Sequence, residues 1–76
     1  MSFSVAYDWP ARVALLERVH WRIASDIDAT VLRFAATRAA VIPRAPAYTL
    51  RAAGHRIVLV VDREARLVTV LRIYRA

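Results

Sequence analysis

The segment from Tyr48 to Tyr74, YTLRAAGHRIVLVVDREARLVTVLRIY, constrains the fold more than any other part of the chain. It reads as three short β-strands: Tyr48 to Ala52, His55 to Asp62, and Arg66 to Tyr74. Ala53-Gly54 makes the first turn, where glycine supplies the positive φ that a two-residue hairpin needs. Asp62 to Ala65 makes the second. Each strand carries an arginine inside an apolar run, so the strands need an apolar cover and leave charge to be placed.

The only material available for that cover precedes the segment. Phe3 to Tyr7 alternates and is rich in β-formers, which predicts a short first strand. Asp8 then stands where a helix N-cap is expected, with Pro10 in the first turn, where a missing N–H costs nothing. Val13, Leu16, Val19 or His20, and Ile23 recur at spacings of three and four, which predicts a helix from about Trp9 to Ile23. Ser25 with Asp28 resembles a capping box and predicts a second helix to about Ala39, facing inward with Ile27, Val31, Phe34 and Ala35. A hairpin of two helices is preferred over one long helix, because antiparallel helices lay both stripes on one sheet face. Val41 to Pro46 carries two prolines and is an extended connector. The expectation is one α+β domain over residues 1–76: a short N-terminal strand, a helical hairpin, then a three-stranded antiparallel sheet.

Composition narrows the function. No window holds eighteen consecutive apolar residues, so no transmembrane helix is expected. The first ten residues lack the pattern of a secretory leader. The absence of cysteine removes disulfides and thiolate chemistry and suits the cytoplasm. His20 and His55 have no Cys or carboxylate spacing that makes a metal motif, and no glycine-rich loop or nucleophile elbow predicts a cofactor site. His20, Trp9 and Trp21 read as packing residues. The twelve basic residues are all arginine, against six acids. With abundant alanine, that choice reflects GC-rich coding. The net charge of +6 nevertheless suits a polyanion or an acidic protein as partner. Seven of the arginines, with only two of the acids, lie in residues 41–76, so the positive field belongs to the sheet.

Strand register decides where these arginines point. A two-residue turn pairs Ala52 with His55 and therefore Arg51 with Arg56, on one face. A three-residue loop, Arg63 to Ala65, pairs Arg56 with Arg72 on that same face, whereas a four-residue loop sends Arg72 to the other. The odd loop is the more consistent choice. It directs Ile57, Leu59, Val61, Leu67, Thr69, Leu71 and Ile73 to the helices. It leaves Arg51, Arg56, Arg72 and Tyr74 on the open face beside Val58, Val60, Val68 and Val70. The alternative is that these valines form a second buried face past which the arginines snorkel.

At these residues the sequence resembles the RelE/ParE superfamily of bacterial type II toxins. The C-terminal half of that family runs from a W-R-L-R-V-G-D-Y-R-V segment through an apolar strand and an acidic turn to V-L-R-V. Tyr48-Thr49-Leu50-Arg51-Ala52-Ala53-Gly54-His55-Arg56-Ile57 follows the pattern with the glycine displaced by one place, and Val58 to Asp62 and Val68 to Ile73 continue it. The element order agrees as well. The resemblance implies a toxin neutralised by a cognate acidic antitoxin in a hetero-oligomer. In the RelE branch it implies an mRNA endoribonuclease acting on the ribosome, with the RNA 2′-OH as attacking group. In the ParE branch it implies a non-enzymatic inhibitor of DNA gyrase. A third expectation is a small basic nucleic-acid-binding module without toxicity. Arg51 and Arg56 match basic positions of the family pattern, and Arg72 or Arg75 supplies the last-strand arginine. Two features depart from it: no lysine stands on the second strand, and Tyr74 does not match the family tyrosine by position. The candidate catalytic residues are Arg56, Arg72, Tyr74 and His55, and the candidate phosphate-binding residues are Arg51, Arg56, Arg72 and Arg75. Strand alternation sets His55 on the opposite face from Arg56 unless the turn bends it round.

Overall fold

The computed structural model describes residues 3–76, and Met1 and Ser2, with which the leader reading begins, lie outside them. Its elements are β1 (Ser4–Tyr7), α1 (Trp9–Val13) running on into a π-helical turn (Ala14–Arg18), α2 (Trp21–Thr37), β2 (Tyr48–Ala52), β3 (His55–Asp62) and β4 (Leu67–Arg75). The sheet has four strands in the order β1-β4-β3-β2, not three. β1 lies parallel to β4, pairing Ser4 with Leu67 and Tyr7 with Val70. A parallel partner needs a crossover, and the helical layer between β1 and β2 belongs to it. No helix of the described residues is long and apolar enough to cross a membrane.

The helices depart from an even hairpin. Asp8 caps α1 by position, in extended backbone, but its side chain makes no capping bond. The break falls at Val19-His20, not at Ala24-Ser25. Val19 leaves helical geometry at φ −117° and ψ 145°, and His20 caps α2 by accepting from the Arg22 N–H at 3.2 Å. Ser25 and Asp28 therefore lie inside α2. The imidazole nitrogen takes the capping role that sequence patterns reserve for Ser, Thr, Asp or Asn.

The first helical stripe is also different from the one expected. Ala11 is fully buried and Ala14 and Leu15 pack against the core, while Leu16 is exposed. A π-turn adds a residue to the helical repeat and rotates the side chains beyond it, and the small Ala11 fits where α1 meets the sheet. On α2 the expected Ile27, Val31, Phe34 and Ala35 are the buried residues. They join Ala39, Ile42, Ile57, Leu59, Val68, Val70 and Ile73 in one core on the inner face of the sheet. From β1, Tyr7 ties the layers together, its hydroxyl donating to Asp28 Oδ1 at 2.7 Å. Burial, helped by that hydrogen bond and the Asp28 charge, pushes the Tyr7 hydroxyl well above the usual tyrosine range.

Candidate functional site: an arginine face on an open sheet

The β2–β3 turn has positive φ at both central residues, Ala53 at 52° and Gly54 at 75°, as a type I′ hairpin requires. It sets Arg51 directly opposite Arg56 and Ala52 opposite His55. The β3–β4 turn holds four residues, because Asp62 pairs with Leu67. Arg66 takes positive φ there, and Asp62 Oδ1 accepts the Ala65 N–H at 3.0 Å. By parity alone the even loop sends Arg72 away from Arg56. A β-bulge reverses that outcome. Leu59 pairs with Val70 but Val58 pairs with Arg72, so Leu71 is an extra residue in β4. Beyond it the alternation is restored, and Arg56 faces Tyr74 rather than Arg72.

The bulge divides the faces of β4. On its turn side Val68 and Val70 are fully buried, so they belong to the inner face and not to the open valine strip expected. Leu67 and Thr69 alternate with them and are half-buried, and Leu71 is half-buried at the bulge itself. On its far side Ile73 is buried and Arg72 and Tyr74 are exposed. The outer face therefore carries Arg51, Arg56, Arg72 and Tyr74 at one end, with Val58 and Val60 leading towards the turn.

Arg56 stands at the centre of this arrangement. Its cross-strand neighbours are a second arginine and a tyrosine, and that of Arg72 is Val58. Like charges directly opposed across a sheet are destabilising. The Arg56 Nε is buried and has no hydrogen-bond partner. A desolvated donor left unpaired costs roughly 1–3 kcal/mol. Both penalties fall if an anion seats between the guanidinium groups. Arginine forks grip phosphate or carboxylate oxygens through paired N–H donors.

The other candidates lie elsewhere. His55 is on the inner face, 8% exposed, and its Nδ1 donates to the Ala53 carbonyl at 2.9 Å. It locks the turn and does not reach the face of Arg56. Arg75 pairs with His55 and so takes the side away from the cluster. Of the four candidate catalytic residues, Tyr74 alone combines a place on the outer face with a titratable oxygen. Among the described residues no three His, Cys, Asp or Glu side chains converge to hold a metal.

Two further features escaped sequence reasoning. A cleft of about 610 Å³ lies between the connector and the β3–β4 turn, lined in part by Arg44, Tyr48 and Glu64. There the Arg63 guanidinium donates to the Ile42 carbonyl, and the Tyr48 hydroxyl is buried without a partner. Another cleft, of about 430 Å³, joins Arg18 and His20 to His55 and Arg75. Neither carries a sequence motif, since each joins residues far apart in the chain.

No family model and no curated protein matches the chain. Solved structures do match it. A chain of the toxin–antitoxin complex RelBE2 from Mycobacterium tuberculosis is 22% identical with a TM-score of 0.68, over 100% of this chain and 93% of that one. The E. coli toxin RelE, as a double arginine-to-alanine mutant in the free state, is 18% identical with a TM-score of 0.76, over 100% and 85% respectively. A chain of the intact E. coli RelBE toxin–antitoxin complex is 18% identical with a TM-score of 0.74, over 99% and 98%. The chain thus has the α+β fold of the RelE toxins.

Proposed function

We propose that residues 1–76 act as one toxin domain of a type II toxin–antitoxin system, and that it is a RelE-like, ribosome-dependent mRNA endoribonuclease in the cytoplasm. The observation that carries the reading is the buried, unpartnered Arg56 Nε beside Arg51 on an open sheet face, within a fold shared with RelE. In this role Arg51, Arg56 and Arg72 hold the scissile phosphate and offset the charge that develops on it. The RNA 2′-OH gives up its proton and attacks the phosphorus, the bond to the 5′-oxygen breaks and that oxygen takes a proton, leaving a 2′,3′-cyclic phosphate; in this reading Tyr74 exchanges one of these protons or stacks a base. An acidic antitoxin, forming a hetero-oligomer with the toxin, silences it by covering positive charge. No cofactor takes part.

One observation favours the gyrase-inhibitor reading instead. The inward position of His55 removes the only imidazole near the cluster from the outer face, and arginine is a poor general base. Induction in bacteria separates the two. Cleavage of translated mRNA within minutes, abolished by Arg56→Ala, supports the nuclease. Filamentation and a DNA-damage response with intact mRNA would transfer the function to gyrase. Harmless overexpression, with salt-sensitive nucleic-acid binding alone, would leave a basic binding module.

A further inference from the structure

The cleft of about 430 Å³ at the inner end of the sheet combines charge, flat rings and apolar surface. Arg18 and Arg75 supply two permanent cations, and no carboxylate lines it. His20, His55 and Tyr74 supply three flat rings, and Ala14, Val19, Ile23 and Ile73 the aliphatic contacts. The cleft is continuous with the arginine face. Tyr74 borders it and stands directly across from Arg56, two residues along β4 from Arg72. The volume falls within the range of pockets that take small ligands.

Both imidazoles are oriented from within the molecule. The His20 Nδ1 accepts the Arg22 N–H at 3.2 Å, and its ring stacks on Trp21 with centroids 5.7 Å apart. Neutral His20 therefore carries its proton on Nε2 and offers a donor. The His55 Nδ1 donates to the Ala53 carbonyl at 2.9 Å, which leaves its Nε2 an acceptor. The cleft thus presents one imidazole donor and one imidazole acceptor beside two guanidinium groups. A nucleobase edge carries donors and acceptors side by side, and an unstacked base is held by aromatic rings and guanidinium planes. A carboxylate only accepts, so an acidic side chain in the same place leaves the His55 Nε2 without a donor.

We infer that this cleft is a base-binding subsite, which takes one unstacked nucleotide of a single-stranded RNA whose neighbouring phosphate lies on the outer face. The RNA strand turns round the end of β4 at Tyr74. Its base enters against the aliphatic side chains and meets the His20 Nε2–H and the His55 Nε2, while Arg18 and Arg75 take the flanking phosphates. The inference rests on the RNA half of the proposed function, since the strand must also be held by Arg51, Arg56 and Arg72.

His20 and His55 are the only histidines of the chain, so their imidazole NMR signals report on the cleft. The full chain is titrated at low salt, where phosphate contacts are strongest, with a short single-stranded oligoadenylate, with AMP and with a blocked leucine–glutamate peptide. The oligoadenylate is expected to move both imidazole signals, and AMP to move them only at higher concentration. Ala14→Leu, which fills the cleft without removing a charge, weakens oligoadenylate binding about tenfold, as loss of one stacked base implies. Arg18→Gln weakens it more than Arg33→Gln, which removes the same charge from outside the cleft. Arg18 is exposed, so its variant remains informative if Ala14→Leu does not fold. Oligoadenylate binding that Arg56→Ala weakens but that leaves both imidazole signals in place overturns the inference and spares the RNA reading, as does an equal loss in Arg18→Gln and Arg33→Gln. No oligoadenylate binding at all overturns both. AMP binding as tight as that of the oligoadenylate assigns the cleft to a free nucleotide, and movement of the signals by the peptide alone assigns it to an acidic protein segment; either result overturns the inference.

Discussion

His55 and Arg56 are adjacent in one strand and have opposite fates. His55 faces the helices, is almost wholly buried, and spends its Nδ1 proton on the turn it caps. Arg56 faces out, has a second arginine and a tyrosine across the strands, and keeps a buried donor unpaired. The inner face of the sheet is closed by the helical layer and satisfies His55 within the molecule, leaving the Tyr48 hydroxyl at its edge as the one buried group without a partner among its described side chains. The outer face concentrates like charge, with Arg51 opposed to Arg56 and the Arg56 Nε unpaired. A residue whose groups are satisfied internally serves the fold. A desolvated group without an internal partner points to a ligand.

The sharpest way to break this contrast is at the bulge. Inserting an alanine between Val58 and Leu59 gives Leu71 a partner and removes the bulge, which reverses the alternation beyond it and turns Arg56, Arg72 and Tyr74 inward and Ile57 and Ile73 outward. Burying an unpaired charge and exposing a core residue each cost several kcal/mol, which approaches the whole stability of a small domain. The insertion variant is expected to lose its cooperative unfolding transition in denaturant, and a transition at the wild-type midpoint would refute the role of the bulge.

Next come paired substitutions on the two faces. Ile57→Ala, on the inner face, should lower the unfolding free energy by about 2–5 kcal/mol. Arg56→Ala should abolish toxicity on induction yet change stability by no more than about 1 kcal/mol, since it also relieves the opposition to Arg51. Urea melts and a growth assay read the two effects separately. A large stability loss in Arg56→Ala would make that arginine structural.

Tyr7 tests the inner layer by pH. Its folded-state value is raised, so the folded protein holds the phenolic proton more tightly than the unfolded chain does. The contribution is complete below the ordinary tyrosine value of about 10 and is lost as pH rises beyond it. Thermal melts should fall steeply through alkaline pH in the wild type and more gently in Tyr7→Phe. That variant should also lose about 1 kcal/mol at neutral pH. Equal alkaline slopes would show that Tyr7 is not the titrating group.

The smallest effect belongs to the turn. Ala53 adopts φ 52°, a region that L side chains enter at a cost which glycine avoids. Ala53→Gly should raise the unfolding free energy by a few tenths of a kcal/mol to about 1 kcal/mol without changing the Arg51–Arg56 pairing. A lower melting temperature would indicate that the Ala53 methyl is packed.

The sequence by itself determined whatever depends on neighbours in the chain. Alternation and the Ala53-Gly54 turn fixed β2, β3 and the Arg51–Arg56 pair, because a two-residue type I′ turn allows one register. The spacing of Ile27, Val31, Phe34 and Ala35 fixed the buried stripe of α2. The RelE-like order of elements was legible for the same reason. Tertiary structure decided the rest. The place of β1 beside β4, the π-turn that swaps Leu16 for Leu15, and the cap at His20 follow from fitting the helical layer to the sheet. The side on which Arg72 emerges was decided by two parities, that of a four-residue loop and that of the bulge at Leu71. Each inverts the strand, and together they cancel. Loop length was the only one of the two that local pattern could address. The bulge lies just where β4 passes beyond its pairing with β1, which ends at Val70, a context that no stretch of β4 states on its own.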